Sequence, residues 1–472
     1  MFFQNVYEKG LAQASYVIGC QATGEAIVID PKRDIDTYIK IAEQEKLRIT
    51  HVTETHIHAD FLSGSRELAA ATGAQILLSN EGGSDWMYTY EHVGLKDNDE
   101  FKVGNLKFKV MHSPGHTPEH ISFILTDTKA SAEPIMIFTG DFVFVGDVGR
   151  PDLLEKAAGI MGTAVKGAKQ MFESLKRFKQ LPDHIQVWPG HGAGSACGKA
   201  LGAVPSSTVG YEKLVNWALK IEDEAKFVTE LLAGQPESPK YFAMMKKLNK
   251  VGPQVLGGVP LPARLPIGKF KQLVDEKTTL IDTRNKIAFA GGHIPGSINI
   301  QDNNSFSTWA GWVLDYDKPF LLVADENRVG DLSRALIRIG LDNAIGYVTE
   351  VESWVHTYGE LKTMPQLTVD KLEQQIKMGV VEVIDVRAYA EYNAGHIEGA
   401  RNIHVGFLLN HLNELPHEKK IVLHCQGGDR SSIATSLLMA QGLTNVTNLT
   451  GGYLAWVREG YSVVTETAEP VL

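Results

Sequence analysis

Cysteine is scarce: Cys20, Cys197 and Cys425 are the only three in 472 residues. A disulfide framework is therefore excluded, and a reducing cytoplasm is the expected compartment. No apolar run approaches the roughly 20 residues that a membrane span needs, so no membrane association is expected. The opening residues, Met1-Phe2-Phe3-Gln4-Asn5-Val6-Tyr7-Glu8-Lys9, lack a basic stretch leading into an apolar one, and no secretory signal is expected. Positive charge is in deficit as well. The 46 Lys and Arg against 56 Asp and Glu leave a net charge of −10, which argues against nucleic acid as a partner. What is present is an ordinary globular composition, 43% hydrophobic and 22% charged, so disordered, collagen-like and coiled-coil chains are excluded. A length of 472 residues fits about two to four domains.

Over the first 190 residues, short apolar runs alternate with helical patterns. Ala26–Asp30, Ile49–Thr55, Gln75–Ser79, Leu106–His112, His120–Leu125, Ile135–Thr139 and Ile185–Trp188 read as buried strands, with a helix over Tyr38–Glu45. This alternation predicts an α/β layered fold. Residues 208–248 read as helical with an interruption at 234–239, and Val251–Pro266, rich in Pro and Gly, reads as a linker. Beyond it lies an internal repeat. Leu280-Ile281-Asp282-Thr283-Arg284 recurs as Val383-Ile384-Asp385-Val386-Arg387, and Gly292-His293-Ile294-Pro295-Gly296 recurs as Gly395-His396-Ile397-Glu398-Gly399. A period near one hundred residues fits two copies of one small domain. Three domains are expected: 1–250 with its helical extension, 262–360, and 365–472.

In the first domain four predicted strands each end in a metal-ligand type. His56-Ile57-His58-Ala59-Asp60 follows one, and His116, Asp141 and His191 follow the others. Groups placed beyond strand ends can converge, and imidazole with carboxylate suits zinc or iron. These residues resemble the metallo-β-lactamase superfamily, whose signature is His-x-His-x-Asp-His, except that Phe61 replaces the last His. The resemblance implies an αββα sandwich. The loss at Phe61 resembles the persulfide dioxygenase branch, as do Gly146–Leu153 and Pro189–Gly194. That branch implies one Fe(II) per chain held by His56, His116 and Asp141. His58, Asp60 and His191 then orient ligands or bound water. Arg150 is either a structural ion-pair residue or an anchor for a substrate carboxylate. Cys197 is either a buried small hydrophobe or a group lining the persulfide channel, and Cys20 reads as core.

In the last copy, His424-Cys425-Gln426-Gly427-Gly428-Asp429-Arg430 ends a strand and opens a helix. A Cys there meets successive backbone N–H groups and the positive helix end, which stabilise a thiolate or a persulfide, and Arg430 adds a guanidinium. The six-residue span Cys425–Arg430 resembles the rhodanese active loop, and Cys425 and Arg430 are the catalytic candidates. In the preceding copy Asp325 stands at the Cys position. A carboxylate cannot carry sulfane sulfur, so that copy reads as a degenerate rhodanese, a spacer or docking surface.

The whole chain thus resembles persulfide dioxygenase–rhodanese fusion proteins. The resemblance implies oxidation of a low-molecular-weight thiol persulfide by O₂ to sulfite, and sulfur transfer to sulfite giving thiosulfate, in a homo-oligomer. The alternative is a glyoxalase II-like zinc thioester hydrolase fused to a sulfurtransferase.

Overall fold

The computed structural model describes residues 1–472 except 154, 156–161, 196, 199–200, 236, 417 and 466–472. The end of the third expected domain, 472, lies outside the described residues. Two compact units form, residues 1–260 with 334–340 and residues 261–333 with 341–472. Among the described residues no helix is long and apolar enough to cross a membrane.

The first unit holds two six-stranded sheets. One runs in the order β1 (Phe2–Glu8), β2 (Gln13–Cys20), β3 (Glu25–Ile29), β4 (Arg48–Thr53), β5 (Gln75–Ser79), β6 (Val93–Leu95). The other comprises β7 (Glu100–Val103), β8 (Leu106–His112), β9 (Ile121–Asp127), β10 (Met136–Gly140), β11 (Gln186–Pro189) and β12 (Ser207–Thr208), again in sequence order. Side chains alternate across a strand, so a strand buried at every residue must be covered on both faces. β2 is such a strand. Its Tyr16 and Ile18 enter a core with Phe108, Phe123 and Phe138 of the facing sheet, whereas Val17 packs on the opposite face with Tyr38 and Ile41 of the helix Asp36–Gln44. The second sheet repeats the logic: Phe138 points inward, and Ile137 packs outward on Met171, Phe172 and Leu175 of the helix Thr163–Lys179. Each fully buried aromatic or aliphatic chain contributes roughly 2 kcal/mol of transfer free energy. The layers are therefore helix, sheet, sheet, helix, the αββα order.

The stretch 208–248 is more broken than its composition predicts. It forms Val209–Val215, Trp217–Lys220, Glu224–Leu232 and Phe242–Val251. Asn216 and Asp223 stop the chain by accepting from the N–H groups of Ala218 and Lys226, capping new helices where one helix would otherwise run on.

The second unit contains both sequence copies. In the first, β14 (Ile298–Asn299), β13 (Thr279–Asp282), β15 (Phe320–Val323) and β16 (Ala344–Val348) form a parallel sheet in that order. In the second, β17 (Gln366–Leu367), β22 (Val446–Leu449), β21 (Lys420–His424), β18 (Val381–Asp385) and β20 (Arg401–Asn402) are parallel, and β19 (His396–Ile397) pairs antiparallel with β23 (Val463–Val464). The repeat survives at atomic level. Arg284 pairs with Asp282 and donates to the Gly292 carbonyl, just as Arg387 pairs with Asp385 and donates to the Gly395 carbonyl.

Candidate metal centre and sulfur-transfer loop

β4, β8, β10 and β11 deliver their following loops to one end of the sandwich. Gly140 ends β10 with φ +49°, a left-handed turn that aims Asp141 inward. A Cβ there would lie 2.4 Å from the Thr55 hydroxyl oxygen, so only glycine fits. His56, His116 and Asp141 are buried, with their ligand atoms all within 4.8 Å of one another. His116 Nε2 is 3.5 Å and His56 Nε2 3.9 Å from Asp141 Oδ2.

The outer nitrogens of these rings are already engaged. His116 Nδ1–H donates to the Arg150 carbonyl at 2.9 Å, and His191 Nδ1–H to the Ala12 carbonyl at 3.2 Å. His56 Nδ1 meets Thr55 Oγ1 at 3.0 Å, and that hydroxyl in turn donates to Asp30. Each Nε2 lone pair therefore faces the centre, as metal-ligating imidazoles are held. Burial and the neighbouring imidazoles hold His56 well below its ordinary range, and burial lowers His116 despite Asp141. Both shifts favour the neutral form, the one that binds a metal. His56 Nε2, both oxygens of Asp141, both oxygens of Asp60 and His191 Nε2 are buried without a hydrogen-bond partner. Orphaned acceptors gathered at one point are costly unless a cation satisfies them, so the residues present fit a metal ion.

A second set lies alongside: Asp60, His191 and Cys197, buried and mutually within 4.8 Å. His191 Nε2 is 3.3 Å from Asp60 Oδ2 and 3.5 Å from Asp141 Oδ1, so the two sets share one wall. Burial first, then Asp141 and Asp60, push the Cys197 thiol well above its ordinary range. His58 is turned elsewhere. Its Nε2 lies 3.0 Å from Asp30 Oδ1, and although burial lowers it, Asp30 outweighs that and pushes it up to about 9. Phe61, buried, packs on the His58 ring with centroids 4.3 Å apart. Arg150 is buried and grips both carboxylate oxygens of Asp152 at 2.7 Å.

In the second unit, Cys425 is buried at the end of β21, and the Gly428 N–H donates to its Sγ at 3.1 Å. Gly428, at φ +105°, makes the turn into the helix Asp429–Ala440. Arg430 donates to both oxygens of Glu391, through Nη2 at 2.8 Å. Arg387 Nη1 donates to Gln426 Oε1 at 3.1 Å. In the other copy, Asp325 to Arg328 are exposed and residues 326–328 form a 3₁₀ turn.

Residues 9–191 match the metallo-beta-lactamase superfamily, and residues 267–356 and 368–459 each match the rhodanese-like domain. The chain is a metallo-beta-lactamase domain followed by two rhodanese-like domains. A solved metallo-beta-lactamase from Staphylococcus aureus subsp. aureus COL is 47% identical, with a TM-score of 0.69, covering 73% of this chain and 98% of that one. The structure of ETHE1 from Myxococcus xanthus is 28% identical, with a TM-score of 0.44, covering 53% of this chain and 98% of that one. The hydroxyacylglutathione hydrolase of Rhodospirillum rubrum is 31% identical over 176 residues, 37% of this chain. The chain spans about 60% of that curated relative's length.

Within the metallo-beta-lactamase domain, sequence reasoning passed over Asp30 and His120. Asp30, at φ +51°, accepts from the Thr55 N–H, the Thr55 hydroxyl and His58. His120 Nε2 accepts from the Asp141 N–H at 3.1 Å, and its ring stacks on His56. Asp30 follows β3 and His120 precedes β9, so in the sequence each looks like the boundary residue of a strand. In the rhodanese-like domains Glu391, the partner of Arg430, was also passed over.

Proposed function

We propose that the metallo-beta-lactamase domain is a mononuclear Fe(II) persulfide dioxygenase, and that the C-terminal rhodanese-like domain transfers sulfane sulfur. One observation carries the reading: two buried imidazoles and one carboxylate converge while Phe61 stands where the superfamily signature has another imidazole. Two His and one carboxylate leave positions open for substrate and O₂. Iron held there would supply the redox chemistry by which a low-molecular-weight thiol persulfide, O₂ and water become the free thiol and sulfite. The chain's own contribution is placement. His56, His116 and Asp141 hold the ion, the Arg150 and Ala12 carbonyls fix ring tautomers, and the buried walls exclude water.

At Cys425 the transfer takes two steps. The Cys425 thiolate attacks the terminal sulfur of a persulfide; the S–S bond breaks, and the released thiolate takes the persulfide's proton. The Cys425 persulfide anion then yields that sulfur to sulfite, giving thiosulfate and the thiolate again. The Gly428 N–H, which donates to Cys425 Sγ, steadies the thiolate.

A second reading, a two-zinc thioester hydrolase, is favoured by the Asp60, His191 and Cys197 set. Metal analysis of anaerobically purified protein, followed by O₂ uptake with several persulfides, separates the two. One iron per chain with persulfide-dependent O₂ uptake and sulfite supports the first; two zinc ions with thioester turnover and no O₂ uptake replaces it. Cys425→Ser is expected to spare O₂ uptake and abolish thiosulfate formation.

A further inference from the structure

The helix Asp429–Ala440 that follows Cys425 is buried from Ser431 through Leu438, although four of those eight residues are Ser or Thr. Two of those hydroxyls, on Ser432 and Ser436, are met by the Cys-less copy. Ser432 Oγ donates to Asn299 Oδ1 at 2.7 Å, and the Asn299 N–H donates to Ser436 Oγ at 3.0 Å. Further along the same seam, a Cβ at Gly406 would lie 2.1 Å from the Trp312 ring. The seam leads to the reactive loop. Lys286, the first residue of the helix Lys286–Gly291, donates through Nζ to the Gly427 carbonyl at 2.7 Å and to Asp429 Oδ1 at 2.6 Å. The side chain of Gln301, also from the Cys-less copy, hydrogen-bonds Asp429, and Gln301 Oε1 accepts the Lys286 N–H.

The charges around the loop pair off in a telling way. Arg387 is matched by Asp385 and Arg430 by Glu391, all within the Cys-bearing copy. Asp429, directly after the loop, is matched across the seam by Lys286. Without Lys286, the Asp429 carboxylate would keep only the neutral Gln301 side chain across the seam, beside a loop whose substrates, thiosulfate and sulfite, are dianions. Removing Lys286 would also free the Gly427 carbonyl, next to the N–H that holds the Cys425 sulfur.

We propose that the Cys-less rhodanese-like copy completes the sulfur-transfer site: Lys286 neutralises Asp429 and pins the Gly427 carbonyl, so that the Cys425 loop accepts a dianion. Lys286 is a positioning residue, acting through Asp429 and the loop. The inference rests on the reading of the C-terminal copy as a sulfurtransferase.

The test uses the full chain with thiosulfate as donor and cyanide as acceptor, in the variants Lys286→Met, Lys286→Arg, Asp429→Asn and the Met/Asn double variant. Lys286→Met is expected to raise KM for thiosulfate about tenfold, with the loss falling on KM rather than kcat. Lys286→Arg should keep most of the affinity. The double variant should return KM to within about threefold of wild type, because the offending carboxylate has gone with its partner. Asp429→Asn alone should leave KM at or below the wild-type value. The relative rates at which iodoacetate and iodoacetamide label Cys425, resolved by peptide mass, report the same field without turnover. That ratio should fall in Lys286→Met and recover in the double variant. An unchanged KM and labelling ratio in Lys286→Met overturns the proposal, as does a double variant as impaired as Lys286→Met, or a raised KM in Asp429→Asn. If the wild-type protein transfers no sulfur, the sulfurtransferase reading fails, and the labelling ratio still decides whether Lys286 sets the field at Cys425.

Discussion

Glu391 receives both terminal nitrogens of Arg430, and the Cys-less copy carries neither partner. By the repeat register, Ala288 stands at the position of Glu391 and Gly330 at that of Arg430. A partly buried guanidinium without its carboxylate, or the reverse, would lose its charge partner, so the two side chains belong together.

Glu391→Gln should therefore lower sulfur-transfer kcat/KM about tenfold by loosening Arg430. The pH dependence has a definite sign. Burial raises Glu391, but the Arg430 hydrogen bonds and charge outweigh it and hold the group below its ordinary value. The stability it contributes is full above the unfolded-state pKa of roughly 4.3 and is lost as pH falls through the lower folded value. Thermal melts of wild type and Glu391→Gln should differ at pH 7 and converge in the acid range; a gap that persists there contradicts the assignment.

His116→Ala should abolish metal binding and O₂ uptake while leaving sulfur transfer by Cys425 intact, since the two sites lie in different domains. Chelation of the wild-type protein should lower the melting temperature of the metallo-beta-lactamase domain. At a thousandfold excess of metal over its Kd the linkage amounts to about 4 kcal/mol. Differential scanning calorimetry with and without chelator reads this directly, and an unshifted first transition would remove the metal from the picture.

Asp30→Asn tests the support beneath the ligands. Asp30 accepts three hydrogen bonds, two from Thr55 and one from His58, inside a fully buried pocket. Replacing the carboxylate leaves the charged His58 unpaired, at a cost of about 3 kcal/mol. Chemical denaturation should show that loss, and metal occupancy should drop with it because Thr55 no longer fixes His56.

Phe61→His restores the ring that the superfamily signature carries. Metal stoichiometry should rise from one to two ions per chain, with thioester hydrolysis gained and persulfide-dependent O₂ uptake reduced. Two ions already present in the wild type would instead support the hydrolase reading.

Much of this was legible in the residues. Leu106–His112 and Gln75–Ser79 are strands over the stretches that their β-branched and apolar runs predict, because each is bounded by turn-forming or polar residues. His56, His116 and Asp141 come together because strand ends in an α/β layer share one rim. Lys286 left no such trace: it meets Gly427 and Asp429 across 141 and 143 residues, and nothing local distinguishes it from a solvated lysine at a helix start. The breaks at Asn216 and Asp223 were lost for a different reason, since capping residues read as ordinary helix-surface polar groups until the chain is seen to turn.

The hydroxyl-lined helix behind Cys425 has a bearing on dissection experiments. A fragment carrying only the final domain would uncover Ser432 and Ser436, whose hydroxyls water can solvate, together with the Gly406 surface against which Trp312 sits. Such a truncation should stay in solution and still react at its thiol, yet be a poor judge of its substrates. Assays on the isolated piece would then understate how much the apparently idle sibling contributes.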